Sequence, residues 1–101
     1  MNNRIKLARD FTKKIRNEHI KRVVLFGSVA RGDDNEYSDI DILILTDSEE
    51  LVEDEISDVV MDVLLYEGEL ISAHIMDVDY YNKTRGFSFL KNVFDEGIVL
   101  Y

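Results

Sequence analysis

Gly27-Ser28-Val29-Ala30-Arg31-Gly32-Asp33-Asp34-Asn35-Glu36-Tyr37-Ser38-Asp39-Ile40-Asp41 is a Gly-Ser pair, ten residues, then two aspartates separated by one isoleucine. Just upstream, residues 21–26 form a β-branched and apolar run that stops at Gly27, which predicts a buried strand ending in a tight turn. Downstream, residues 39–46 predict a second strand, on which Asp39 and Asp41 share a face because side chains alternate. One strand end therefore carries two carboxylates side by side. Each disfavours ionisation of the other unless a cation sits between them. Mg²⁺ suits such a pair, since it takes oxygen ligands, one or two of them protein carboxylates, and completes its shell with water and substrate phosphates.

Gly27 and Ser28 supply the complementary half. Glycine opens backbone conformations closed to other residues and lets a ligand approach, while the following amides and the serine hydroxyl can donate to phosphate oxygens. Residues 28–31 predict a short helical turn whose free N–H groups attract an anion. Arg31 either adds a cation there or is a solvated surface residue. A plain turn at Gly27 and a solvated acidic loop are the alternatives, but placement after one strand and on the next is what the chemistry requires.

Gly27, Ser28, Ala30, Arg31, Gly32, Ser38, Asp39 and Asp41 together match the signature of the minimal nucleotidyltransferases, small members of the DNA polymerase beta-like superfamily. The chain resembles the antitoxin half of HEPN/MNT toxin-antitoxin pairs along nearly its whole length. The resemblance implies an α+β two-layer nucleotidyltransferase fold, with a small mixed β-sheet and helices packed mainly on one face, in a single domain covering residues 1–101. It further implies Mg²⁺-dependent transfer of AMP from ATP to a protein hydroxyl, with a tyrosine of a HEPN-type RNase toxin as acceptor. Asp39 and Asp41 would then be the catalytic and metal-binding residues. Gly27, Ser28 and Arg31 would hold the nucleotide, and Ser38 would support the loop beside the metal.

A third carboxylate in such enzymes comes from a later strand. The third strand is placed here at residues 70–76, where Ser72, His74 and Met76 share one face and Ile71, Ala73 and Ile75 the other, with no acid on either. By analogy with relatives Ser72 occupies the acidic position, and Glu69, Asp77 and Asp79 flank the strand out of register. His74 faces the same way as Ser72 and is the strand residue able to accept a proton near neutral pH. An ordinary surface or half-buried histidine is the simpler account. Loss of the third acid argues for weak catalysis or none, since two aspartates can bind metal-nucleotide without activating a hydroxyl.

At 101 residues the chain suits one core but cannot also surround a nucleotide and an acceptor, so a partner would supply the missing wall. Absence of cysteine excludes thiol chemistry and fits a reducing cytoplasm. Apolar runs at residues 23–26 and 42–45 are far below a membrane span, and residues 1–17 carry scattered charges instead of the apolar core of a leader. These features predict a cytoplasmic protein without a membrane partner. Two histidines and no cysteine argue against a zinc site.

Charge is unevenly spread over a formal net of −9. Residues 1–22 hold eight of the twelve Lys and Arg against two acids, whereas residues 33–79 hold seventeen acids and no Lys or Arg. Such an excess argues against direct nucleic-acid binding, which needs a cationic footprint. It fits a partner with a basic surface, such as an RNase toxin, as well as it fits solvated helix faces. Self-association into a homo-oligomer stays open.

Periodicity predicts an amphipathic helix over residues 3–17, with Leu7, Phe11 and Ile15 inward. A second helix is predicted over residues 49–66, opened by a capping box from Thr46 to Glu49 and ended by Gly68. A short helix over residues 78–83, a helix over residues 87–96 and an edge strand or docked tail over residues 98–101 complete the map. Tyr80, Tyr81, Phe87, Phe89 and Tyr101 concentrate in the last quarter as core or as a stacking patch. Two functions from different classes emerge: a metal-dependent nucleotidyltransferase that modifies a protein, and a non-catalytic antitoxin that neutralises its partner by covering it.

Overall fold

Continuous apolar sequence over residues 42–45 demands a strand covered on both faces. The computed structural model, which describes residues 3–84 and 86–101, places it there. In chain order the elements are α1 (Asn3–Ile15), β1 (Ile20–Phe26), α2 (Gly27–Arg31), β2 (Ile40–Thr46), α3 (Glu49–Glu67), β3 (Ile71–Asp77), α4 (Val78–Thr84), α5 (Ser88–Glu96) and β4 (Ile98–Val99). The strands form one mixed sheet of order β3-β2-β1-β4. β1 runs antiparallel to both β2 and β4, and β3 runs parallel to β2. A parallel neighbour requires a crossover. Helix α3 supplies it, and Gly68, with φ +69°, ends that helix in the left-handed conformation.

Alternation along β1 and β2 sorts the core into two layers. Val23, Leu25, Ile40, Ile42 and Ile44 face α1 and α3, where Ala8, Phe11, Ile15, Val52, Ile56 and Val63 close over them. Val24, Phe26, Leu43 and Leu45 face the other way and meet Leu90 and Val93 of α5. The two long helices thus share one face, as the α+β expectation required. Among the described residues the opposite face carries the short α4 and α5. That partial cover matters for function, because Asp41 lies on the same face as Leu43.

Two local expectations change. The second strand begins at Ile40, so Asp39 belongs to the loop before it. The capping box does not form: Thr46 is the last residue of β2, its hydroxyl donates to the His19 carbonyl at 2.7 Å and accepts the Ser48 amide at 3.1 Å. Glu49 instead accepts the Asp77 amide at 3.0 Å, tying the start of α3 to the end of β3. The tail extends the sheet as foreseen, with the Leu100 amide donating to Val23 at 2.8 Å and the Val23 amide to Tyr101 at 3.1 Å.

Candidate active site

Asp41 and Phe26 pair across the antiparallel β1–β2 ladder. The residue after Phe26 is Gly27, which has φ +75°. A Cβ on Gly27 would collide with Asp41 Oδ2 and stand 3.3 Å from Asp41 Cγ. The turn and the carboxylate are therefore in direct contact, and a residue with a side chain fails at position 27 for two independent reasons, space and backbone handedness.

Asp39, exposed at the end of the loop, is near enough for its charge to act on this carboxylate. Burial pushes the Asp41 carboxyl above its ordinary range; the Asp39 charge pushes the same way, while His74 and Arg31 oppose it. A cation between the two acids would relieve that tension. Among the described residues no group of three or more His, Cys, Asp or Glu is disposed to hold a metal. A two-carboxylate, all-oxygen donor set fits an ion that takes its remaining ligands from water and phosphate, and Mg²⁺ is such an ion.

Opposite Asp41 on the parallel neighbour stands Ser72. His74, two residues on, brings Nε2 to 3.8 Å from Asp41 Oδ1 and 3.4 Å from Ser72 Oγ. Its ring lies 5.3 Å from that of Phe26 and 6.4 Å from that of Phe89, and Phe89 meets Phe26 edge-on at 5.8 Å. Asp77, the last residue of β3, is held at the opposite end of the strand. The aromatics of the last quarter divide: Tyr81 stacks on Phe94 at 5.1 Å beneath the sheet, and Tyr101 lies under the Arg16 guanidinium.

Beside the glycine turn opens a hollow of about 360 Å³ lined by Phe26, Gly27, Arg31, Phe89, Asn92 and Glu96. Its size falls within the range of small-molecule sites, roughly 300–1,000 Å³. Arg31 lies on its rim, where Nε donates to Asp33 at 3.2 Å and Nη1 to Glu96 at 3.4 Å. Its charge is thus shared with two surface acids. Another hollow, of about 280 Å³ between α1 and α3, lies away from the turn, and neither hollow is lined by Asp39 or Asp41.

The loop from Asp33 to Asp39 is internally knitted. Ser38 Oγ accepts the Asn35 amide at 3.0 Å, and Asn35 Oδ1 accepts the Tyr37 amide at 2.8 Å. From outside, Arg4 of α1 grips the same loop, a contact with no signature in the local sequence pattern. Burial works against the Arg4 charge, but its bonds to Glu69 and Asp34 more than offset that.

A glycine turn ending one strand, in contact with an aspartate on the next, within a small mixed sheet, is the arrangement of a minimal nucleotidyltransferase. The chain belongs to the nucleotidyltransferase domain family, which it matches over residues 5–100. It is 39% identical over 102 residues to a Methanocaldococcus jannaschii protein named "Putative protein adenylyltransferase", covering 98% of this chain and 99% of that one. Among solved structures it is similar to a toxin-antitoxin with AMP-PNP, with TM-score 0.59 and 17% identity over 98% of this chain and 71% of that one. It is also similar to a mutant of the toxin-antitoxin MntA-HpeT, with TM-score 0.60 and 15% identity over 100% of this chain and 73% of that one. At those identities the structural likeness is one of fold.

Among the described residues no helix is long and apolar enough to cross a membrane.

Proposed function

We propose that this protein is a Mg²⁺-dependent adenylyltransferase that moves AMP from ATP to a protein hydroxyl, a tyrosine of a cognate HEPN-type RNase toxin, and so acts as an antitoxin. The contact between Gly27 and Asp41 carries this reading, because it sets a phosphate-gripping turn directly against a carboxylate that needs a cation. The likeness to the named adenylyltransferase over nearly both whole chains supports the chemistry. The likeness in fold to two toxin-antitoxin structures supports the biological role.

In the proposed reaction the acceptor oxygen bonds to the α-phosphorus of ATP, the bond from that phosphorus to the bridging oxygen breaks, and pyrophosphate leaves. The acceptor proton passes to solvent or to a neighbouring base. Mg²⁺, held by Asp39 and Asp41, would neutralise charge on the phosphates as they separate. Gly27 lets the backbone approach the triphosphate, Ser28 and the α2 amides donate to it, Arg31 stands at its edge, and Ser38 keeps the loop shaped behind Asp39. The AMP group attached to the toxin adds a bulky anion that repels RNA. Nothing in this scheme requires nucleic-acid contact, a membrane or a location outside the cytoplasm.

A non-catalytic antitoxin that binds its partner directly is the alternative, and one observation favours it: the position beside Asp41 on β3 is Ser72 and not an acid. Incubation with labelled ATP, Mg²⁺ and the co-encoded partner separates the two. Label on the partner that vanishes with Asp39→Asn/Asp41→Asn supports the enzyme. Tight complex formation without label, unchanged by the same substitutions, supports the alternative.

A further inference from the structure

Arg4 lies thirty-five residues before Asp39, on the first turn of α1, and its guanidinium is almost wholly spent on the loop that delivers that carboxylate. Nη1 donates to Asp34 Oδ2 at 3.0 Å and to the Asn35 carbonyl at 2.6 Å. Nη2 donates to the Glu36 carbonyl at 3.3 Å, and Nε to Glu69 Oε2 at 3.0 Å. Glu69 sits in the turn between α3 and β3, next to Leu70, whose carbonyl accepts the Ile40 amide at 2.9 Å. One cation thus joins three segments distant in sequence: α1, the site loop and the entry to β3. The Arg4 and Asp34 side chains are each only 13% exposed.

We propose that Arg4 is a positioning residue for the metal-binding carboxylates, a latch that holds the loop of residues 33–39 in the one conformation that sets Asp39 beside Asp41. The role rests on the assignment of these aspartates to Mg²⁺. A planar fork with donors in fixed directions can satisfy two carbonyls and two carboxylates at once, which a lysine ammonium cannot. The partners also explain the choice of a charged anchor. Residues 33–39 carry four acids, Asp33, Asp34, Glu36 and Asp39, whose mutual repulsion disfavours a closed loop; Arg31 pairs with Asp33 at its start, and Arg4 with Asp34 further in. The internal bonds of Ser38 and Asn35 shape the loop but do not fasten it to the domain. Arg4 does both, fastening the loop and neutralising part of its charge.

The test compares wild type, Arg4→Lys, Arg4→Gln and Asp34→Asn by amide hydrogen exchange and by titration with Mn²⁺ plus a non-hydrolysable ATP analogue. In the ligand-free chain, Arg4→Gln is expected to speed exchange of amides 34–40 at least tenfold while those of β1 stay protected. The metal concentration needed for half-saturation of nucleotide binding rises at least tenfold, Arg4→Lys falls between, and Asp34→Asn moves in the same direction. Should Arg4→Gln fail to fold, Asp34→Asn and Arg4→Lys decide by the same two measurements. Unchanged exchange of amides 34–40 in the folded variants overturns the latch. Wild type that binds no nucleotide at all overturns the metal and nucleotide assignment instead. Loss of protection throughout the sheet would mean a general stability role and would equally overturn a positioning one.

Discussion

Gly27 and Asp41 are fitted to each other: the space a side chain at residue 27 would fill is the space the Asp41 carboxylate occupies. The strand pairing of Phe26 with Asp41 enforces this approach, so the turn and the acid are held by the β1–β2 ladder rather than by a flexible loop. A site on paired strands loses little order when ligand binds.

Gly27→Ala is therefore expected to damage both structure and binding. Left-handed backbone costs a residue with a Cβ about 1–2 kcal/mol. Urea unfolding should show a loss of at least this size, since the methyl group must also displace Asp41. Titration with Mg²⁺ and an ATP analogue should show binding lost.

Asp41→Asn should have opposite effects on stability and activity. Burial and the neighbouring Asp39 disfavour the Asp41 carboxylate, so the neutral amide removes a penalty in the metal-free chain. We expect a higher urea midpoint at pH 7 together with loss of AMP transfer. A drop in the midpoint would show that the Asp41 charge stabilises the fold.

The same group makes stability depend on pH. With its folded pKa above the ordinary 3.8, Asp41 holds its proton more tightly in the folded chain. The stability this contributes is fully present below the unfolded value and is lost as pH rises through the folded one. The excess stability of Asp41→Asn over wild type should therefore grow as pH rises above 3.8 and level off once Asp41 is ionised. Mg²⁺ with nucleotide should reduce that gap, because it binds the folded wild type.

Asp47 titrates the other way. A hydrogen bond from His19 at 2.9 Å, followed by Lys21, holds its carboxyl below the usual range despite some desolvation. Its contribution is present above the unfolded pKa and disappears as pH falls through the folded one. Asp47→Asn should lower stability at pH 7, and the loss should fade as pH falls through the folded pKa of Asp47, as followed by thermal unfolding.

Ser72→Asp places a carboxylate in register with Asp41 on β3. General acid-base groups contribute about a hundredfold or more to rate, so at least about a tenfold gain in AMP transfer is expected. The metal-free chain should become less stable, since three acids then share one strand end. Absence of any gain, with Mg²⁺ and nucleotide binding intact, would mean that the missing acid does not limit the reaction.

The local pattern was sufficient for most elements. Apolar runs ending at Gly27 and beginning after Asp39 announce two strands, and the period of α1 and α3 announces their buried stripes, because side-chain direction follows backbone repeat. Ser72 was identifiable from alternation as a β3 residue on the His74 face, and the structure pairs it with Asp41. The capping box from Thr46 to Glu49 failed because both residues found stronger long-range partners, the His19 carbonyl and the Asp77 amide.

Sequence alone determined where the strands and helices lie and that Gly27 and Asp41 fall at the ends of neighbouring strands, since composition, spacing and strand alternation are local properties of the chain. Only the tertiary structure decided that Asp41 packs against Gly27, that His74 clusters with Phe26 and Phe89, and that Arg4 holds the loop before Asp39. Those relationships join segments tens of residues apart. They depend on sheet order, register and crossover, which arise when the whole core closes and which no local repeat encodes.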